Sequence, residues 1–231
     1  MKLQQILFLV LWGLLLTPLV IRDGFNIYSD IKDSHHDFSG RGWNPDHKYC
    51  EPCHTPHNAN TTIVNSPLWN HEITVASFQV YTSSTLDATV GQPTGKSKLC
   101  LSCHDGTVAI DSYGGRNGTN HMMSWHMGYL GTDLKNDHPI SFEYNSALAA
   151  TDKGLEDPSI ASSGLGGTIE EDLLFNGRLE CSSCHDVHVS RNTQGCNGCH
   201  NMGGGAPFLK QTLSLRVDNT NSAFCLTCHK K

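Results

Sequence analysis

The sequence has 231 residues, of which 38% are hydrophobic and 16% are charged, and its formal net charge is −6. Leu, Ile, Val and Phe supply only 39 of the 210 residues after position 21. A domain of that length normally buries about 70% of its unfolded surface, so large apolar residues are scarce here. The acidic balance, with no cluster of Lys and Arg, excludes an ordinary nucleic-acid-binding surface. Either much of the chain is disordered, or a group other than side chains fills its interior.

Residues 1–24 are predicted to be an export signal. Lys2 precedes an almost unbroken apolar run at residues 6–21, which contains the helix-breaking Pro18. Sixteen helical residues span about 24 Å, less than the ~30 Å hydrocarbon core of a bilayer. No Ala-x-Ala cleavage sequence precedes Arg22, so an uncleaved anchor is the alternative. After cleavage, we expect residues 25–231 to form one exported domain with no membrane span.

Few other segments have a regular hydrophobic period. In chain order, the patterns predict a strand at residues 78–82, a loop at 113–120, a helix at 142–150 and a flexible glycine-rich stretch at 164–167. Thr168 and Glu171 form a capping-box pattern, which predicts a short helix through Leu174 that stops at Gly177. Residues 203–205 are three glycines and read as a linker, with no strand–helix context for a phosphate loop.

All ten cysteines belong to one repeated motif, Cys-x-x-Cys-His. The five copies consist of Cys50, Cys53 and His54; Cys100, Cys103 and His104; Cys181, Cys184 and His185; Cys196, Cys199 and His200; and Cys225, Cys228 and His229. This motif is the signature of covalent attachment of c-type haem. Five copies predict five covalently bound haem c groups, each with its iron.

The chemistry of attachment explains the spacing. Residues three apart lie on one face of a helical turn, so both sulfurs reach the vinyl groups of one porphyrin. The histidine that follows presents its imidazole to the iron as the proximal ligand. Zinc knuckles and disulfides are the alternatives, but neither explains a histidine after every pair of cysteines.

Nine histidines remain for the sixth coordination position of the five irons: His35, His36, His47, His57, His71, His121, His126, His138 and His188. We expect His36, preferred over His35, and His57, His71, His138 and His188 to be distal ligands. His57 and His188 each follow a proximal histidine by three residues, so each must reach a neighbouring haem. Met122, Met123, Met127 and Met202 are alternative ligands, which would raise the reduction potential. The surplus of histidine favours bis-histidine, coordinatively saturated irons.

Several blocks resemble the doubled-CxxCH multihaem c-type cytochromes, which include extracellular cytochromes that polymerise into conductive filaments. The blocks are SHHDFSG at residues 34–40, CEPCHTPHNA at 50–59, SPLWNH at 66–71, CLSCHDGT at 100–107, DHPI at 137–140, CSSCHDVH at 181–188 and SAFCLTCHKK at 222–231. The resemblance spans residues 34–190 and resumes at 222. It is specific for the family and less specific for filament formation.

The resemblance implies a multihaem cytochrome c fold, coil-rich with short helices and few short strands wrapped around a chain of stacked haems. It supports the same five distal histidines, and it implies that an N-terminal histidine, His35 or His36, serves an adjacent subunit in a filament. The fourth motif, at residues 196–200, departs from the four-haem pattern of the family. His47, His121 or His126 is the candidate ligand for that extra haem.

The sequence therefore predicts an exported electron carrier rather than an enzyme, located at the cell surface or outside the cell, or alternatively in the periplasm. Its expected partners are a redox protein or an extracellular electron acceptor, and further copies of itself in a homo-polymer. The alternatives are a soluble periplasmic electron shuttle and a multihaem reductase. A reductase needs a five-coordinate iron, and no variant motif such as Cys-x-x-Cys-Lys is present.

If porphyrins supply the missing apolar material, the haem-free chain lacks a stable fold. We expect circular dichroism of the haem-free protein to show a largely unfolded chain, because its own apolar side chains bury too little surface to offset the loss of conformational entropy. A native-like spectrum with a cooperative thermal transition would contradict this expectation.

Overall fold

The computed structural model describes residues 31–32, 34–188, 215–216 and 219–230. Regular elements are short in this part of the chain, and most of it is turns and coil. In chain order the elements are α1 (Gly95–His104), β1 (Phe142–Glu143), α2 (Ser146–Thr151), α3 (Ile169–Asp172), β2 (Arg178–Leu179), α4 (Cys181–Cys184), a 3₁₀ turn (Thr220–Ser222) and α5 (Cys225–Cys228). The predicted coil-rich character, with short helices and few strands, is confirmed for these residues.

The larger apolar cluster lies around the pair of strands. β1 and β2 pair antiparallel, with Phe142 opposite Leu179 and Glu143 opposite Arg178. The buried members of the cluster are Phe142, Tyr144, Ala149, Ile169, Leu173, Leu174, Leu179, Leu215 and Phe224. Cys184 and Cys228 pack against its edge. The cluster therefore joins the third and fifth Cys-x-x-Cys-His motifs.

A smaller cluster supports the second motif. Phe78, Leu101 and Leu134 are buried together, and Leu101 lies between the two cysteines of α1. The packing of Leu101 in this cluster therefore fixes the orientation of α1, and with it the positions of Cys100 and Cys103.

The predicted capping box is confirmed. The Thr168 side chain accepts a hydrogen bond from the Glu171 N–H, and the Glu171 side chain accepts one from the Thr168 N–H. The helix that it starts ends at Asp172, which is two residues earlier than predicted. Leu174 N–H bonds to the Ile169 carbonyl, five residues back, so the chain has already left the α-helical pattern there. The turn at Gly177 has φ of +73°.

The helix predicted at residues 142–150 is wrong in its first half. Phe142 and Glu143 form β1, and the helix starts only at Ser146, where the Asn145 side chain accepts the Leu148 N–H. Two competing signals explain the error. Phe142 favours a strand because Leu179 lies opposite it, and Asn145 is a strong N-cap.

The strand predicted at residues 78–82 is also wrong. Gln79 forms only an isolated bridge to Asp133. The backbone of Phe78 is satisfied by a side chain, because its N–H donates to Gln92 Oε1 at 2.7 Å and its carbonyl accepts from Gln92 Nε2 at 2.8 Å. One amide thus takes the place of a neighbouring strand.

The two predicted loops are confirmed as irregular segments. Residues 113–120 form no helix or strand beyond the bridge of Tyr113 to His71. Asp111 holds the end of this loop, since its carboxylate accepts the N–H groups of Thr119 and Asn120 at 3.0 and 2.8 Å. Residues 164–167 are bends, and the Gly167 N–H donates to the Asp172 carboxylate at the end of α3.

The predicted export signal, the motif at residues 196–200, Met202 and the glycine linker lie outside the described residues. Within the described part, no helix combines the length and the hydropathy needed to cross a bilayer.

Candidate functional site

Four of the five motifs are described, and each is one helical turn. Cys100 and Cys103 lie in α1, while α4 and α5 each run from the first to the second cysteine of a motif. Cys50 and Cys53 form the same turn, with Cys53 N–H bonded to the Cys50 carbonyl at 3.1 Å. The predicted helical turn is therefore found at each of these four motifs.

A shared hydrogen bond places the histidine after the turn. The N–H groups of His54, His185 and His229 donate to the carbonyl of the first cysteine of their motif, at 2.8, 2.9 and 3.0 Å. His185 and His229 then leave the helix with extended backbone, at φ of −110° and −105°. The helical turn therefore ends at the histidine in these two motifs.

Backbone carbonyls from distant segments orient two proximal imidazoles. His54 Nδ1 lies 2.5 Å from the Pro67 carbonyl, and His104 Nδ1 lies 2.6 Å from the Gly128 carbonyl. A carbonyl only accepts, so Nδ1 carries the hydrogen and Nε2 keeps its lone pair in the neutral ring. This is the arrangement that histidine ligands of metals use to fix their tautomer and orientation.

Three predicted distal histidines lie opposite a proximal histidine. The ring centroids of His36 and His104 are 6.0 Å apart, those of His54 and His188 are 6.0 Å apart, and those of His138 and His229 are 6.2 Å apart. Two imidazoles on opposite sides of one metal ion, each with its nitrogen about 2 Å from the metal, place their ring centres roughly 6 Å apart. The three separations therefore suit a shared iron.

Each pair joins residues that are remote in sequence. His188 follows the third motif and lies beside the proximal histidine of the first, which agrees with the expectation that it reaches a neighbouring haem. His36, rather than His35, is the residue that lies beside His104.

Burial keeps the first pair neutral. Desolvation, and then repulsion from His104, lowers the pKa of His36 to about 4. Desolvation also lowers the pKa of His104. Two uncharged, buried imidazoles near neutral pH can both offer a lone pair to a metal.

The His188 ring differs from these two because a carboxylate contacts it. Asp186 Oδ1 lies 3.1 Å from His188 Nδ1, and this hydrogen bond raises the pKa of His188. The same contact orients Nδ1 toward Asp186 and leaves Nε2 for a ligand, as outer carboxylates do for metal-bound histidines.

The structure places two other predicted distal ligands differently. His71 is 3% exposed, with Nδ1 2.7 Å from the Glu72 carbonyl and Nε2 3.0 Å from the Ala109 carbonyl. A neutral imidazole has one N–H and cannot donate to both. Its Nε2 also lies 3.5 Å from Cys103 Sγ, beside the second motif. His57 is exposed, and its N–H bonds to Thr55 Oγ1.

The remaining candidate ligands lie nearer the surface. His47 donates through Nδ1 to the Ser39 carbonyl at 2.6 Å, and His121 Nδ1 lies 3.0 Å from the Gly106 carbonyl. Met123 and Met127 are 53% and 62% exposed, which does not suit an axial ligand buried against a ring.

Three thiols are protonated at neutral pH. Burial raises the pKa of Cys53 and of Cys228 to about 11 each, and it raises the pKa of Cys103 as well. Cys100 donates a hydrogen bond to Cys181, which raises the pKa of Cys100 and lowers that of Cys181.

A buried donor beside the first motif has no protein partner. Trp69 is 9% exposed, and its indole N–H contacts no acceptor. Its backbone bridges His54, and its ring lies 6.2 Å from that of His71. Buried indole N–H groups are normally bonded, so this one fits a site where the acceptor belongs to a bound group.

The paired histidines and the turns that carry two cysteines fit a haem. A haem iron needs only two protein ligands, because the porphyrin supplies the others. Paired imidazoles beside turns that present two sulfurs meet that need.

One polar centre escaped the sequence analysis. Glu180, directly before Cys181, is 2% exposed and bonds to Ser97 and Ser141. In the sequence, the only indication of this residue is its position between the apolar Leu179 and the third motif.

Comparison with known protein families finds no matching family model, and the curated proteins contain no match either.

The pairing of His188 with His54 predicts a spectroscopic change. We expect His188→Ala to leave one haem of five without its sixth ligand, so that about a fifth of the haem becomes high-spin in the oxidised protein, measured by absorption and electron paramagnetic resonance. Asp186→Asn is the matched control, because it removes the carboxylate but keeps the ring; its haems stay low-spin. A His188→Ala spectrum that is entirely low-spin would mean that His188 is not an axial ligand.

Proposed function

We propose that the protein is an exported pentahaem c-type cytochrome that carries electrons along a chain of closely packed bis-histidine haems. The single observation that carries this proposal is the set of three histidine pairs, each of which joins a motif histidine to a remote histidine at about the separation that one iron requires. The Cys-x-x-Cys-His motifs support haem c as the cofactor.

Different residues of the chain would hold the haem ring and its iron. The cysteines would hold the ring, the histidines that follow them would each supply one nitrogen to an iron, and His36, His138 and His188 would supply a second nitrogen to three of the irons. Haem bound in this way accepts and releases single electrons. The carbonyls of Pro67 and Gly128 keep Nδ1 of His54 and His104 protonated, so that Nε2 stays available.

Spacing between motifs supports transfer from haem to haem. The Cys100 thiol bonds to Cys181, so the edges of two attached rings would lie close together. The imidazoles of His104, His188 and His185 are near enough to His36 to lower its pKa. An iron held by two imidazoles would have no open position for a substrate, and three motif histidines have such a partner. This favours an electron carrier over a reductase.

Export and assembly form the finer part of the proposal. The apolar run at residues 6–21 supports export, to the cell surface or beyond it, or alternatively to the periplasm. Polymerisation into a conductive filament rests on the resemblance to filament-forming cytochromes. A redox protein or an extracellular acceptor would be the partner at the end of the haem chain.

The haem count is the direct test. We expect intact-mass measurement of the protein, made in a host that matures c-type cytochromes, to show five covalent haems, with every iron low-spin when oxidised. Replacement of both Cys196 and Cys199 by Ala removes the fourth attachment site, so four haems remain. Bound zinc, or a mass lowered by two hydrogens for each cysteine pair, would contradict the proposal.

Assembly requires its own measurement. We expect negative-stain images of the purified holoprotein to show filaments. A native particle with the mass of a single chain plus its haems would instead support the soluble periplasmic shuttle and overturn the polymer.

A further inference from the structure

Glu180 places a buried carboxylate at the junction of two attachment turns. It follows β2 and directly precedes α4, and it is 2% exposed. A buried carboxylate is costly unless hydrogen bonds or an opposite charge stabilise it. The groups that surround it therefore show what the position is built for.

Three donors converge on a single oxygen. Glu180 Oε2 accepts the Ser97 N–H at 3.1 Å, the Ser141 hydroxyl at 2.9 Å, and the Ser97 hydroxyl. The Ser97 hydroxyl oxygen in turn accepts the Cys181 N–H at 2.9 Å, so its one hydrogen is free for Glu180. An oxygen that receives three hydrogen bonds is in the environment of an ionised carboxylate.

The second carboxylate oxygen, Oε1, is close to the Arg178 guanidinium, which also lies near Glu143. Arg178 Nε lies 4.0 Å from Glu180 Oε1, while another nitrogen of the same guanidinium lies 3.9 Å from the exposed carboxylate of Glu143. Arg178 also donates to the Ser141 carbonyl. Lys96 is near enough to Glu180 to interact with its charge, and its ammonium lies over the Phe175 ring.

The backbone makes room for this carboxylate. Gly95 begins α1 with φ of +51°, and a Cβ at that position would lie 2.8 Å from Glu180 Oε1. A side chain there would be strained in φ and would also collide with the carboxylate. The first turn of α1 is thus shaped around Glu180.

The network links two motifs directly. Ser97 is one turn before Cys100 in α1, and Glu180 is the residue directly before α4, which begins at Cys181. α1 and α4 pack on each other, and the Cys100 thiol bonds to Cys181. The carboxylate therefore lies between the attachment points of the second and third haems.

We propose that Glu180 is a positioning residue that holds these two attachment turns together and lowers the reduction potentials of the second and third haems with its buried negative charge. The inference rests on the proposed function. Reduction of a ferric haem adds one electron, supplied in the experiment by an electrode, and so adds one negative charge near Glu180. A fixed negative charge opposes that addition.

The test is spectroelectrochemistry of the five-haem protein and of Glu180→Gln. Glutamine keeps the shape and the acceptor oxygen but removes the charge. We expect two of the five haems to become easier to reduce, with the ferrous-to-ferric ratio at a fixed potential raised about tenfold, which is about 59 mV for a one-electron couple. The other three haems keep their potentials.

Glu143→Gln is the matched control. Glu143 approaches the same guanidinium but its side chain is 72% exposed, so solvent screens the charge that is lost and the potentials stay as in the parent protein. A Glu180→Gln protein that carries five haems with unchanged potentials would overturn the inference, as would an equal shift in Glu143→Gln.

A second variant tests the inference if Glu180→Gln does not fold. Arg178→Gln removes the cation beside Glu180, so we expect the same two potentials to fall; unchanged potentials would overturn the inference. Failure of the proposed function is distinguishable, because it appears earlier, as a parent protein without covalent haem.

Discussion

The hydrogen bond from a histidine N–H to a cysteine carbonyl four residues earlier shapes the site in this protein. It closes the helical turn that carries the two cysteines of a motif, as His54, His185 and His229 show. The turn is local and recurs wherever the motif recurs. The direction in which each imidazole points depends on remote segments, such as the carbonyls of Pro67 and Gly128 that hold Nδ1 of two rings. The local hydrogen bond within each motif and the long-range contacts with backbone carbonyls thus both determine the geometry of the site.

Buried polar side chains do much of the work that regular secondary structure does elsewhere. Asn44, 1% exposed, bonds to the carbonyls of Phe38 and Lys48 and to the Lys48 N–H. Asp105, 2% exposed, accepts hydrogen bonds from Thr74 and Thr107. A typical bond of this kind contributes about 1 kcal/mol net, but leaving such a buried group unpaired costs more. The fold is therefore specified by many small, directional contacts.

The sequence allowed the attachment turns to be predicted, because cysteine spacing and helical geometry are both local. The capping box at Thr168 could also be predicted, because the side chains of Thr168 and Glu171 each accept a hydrogen bond from the other residue's backbone N–H. The strand at Phe142 and the side-chain pairing of Gln92 with Phe78 were missed, since both depend on partners that are distant in the chain.

Of the five histidines predicted to be distal ligands, three lie beside a motif histidine: His36, His138 and His188. His71 lies against Cys103, and His57 is exposed. Pairing is a tertiary property, because each pair joins segments that approach only when the chain is folded. Glu180 was missed for the same reason, as its Ser97 and Ser141 partners are 83 and 39 residues away.

The Gln92 amide that satisfies Phe78 has a consequence for association between copies of the chain. In the described residues the only paired strands are two residues long, and an amide side chain takes the place of a neighbouring strand at Phe78. Such a backbone offers little unpaired strand edge, which is the usual template for β-aggregation. Pairing of strands between copies is therefore disfavoured along the described part of the chain, and contacts between copies there would have to be made by side chains.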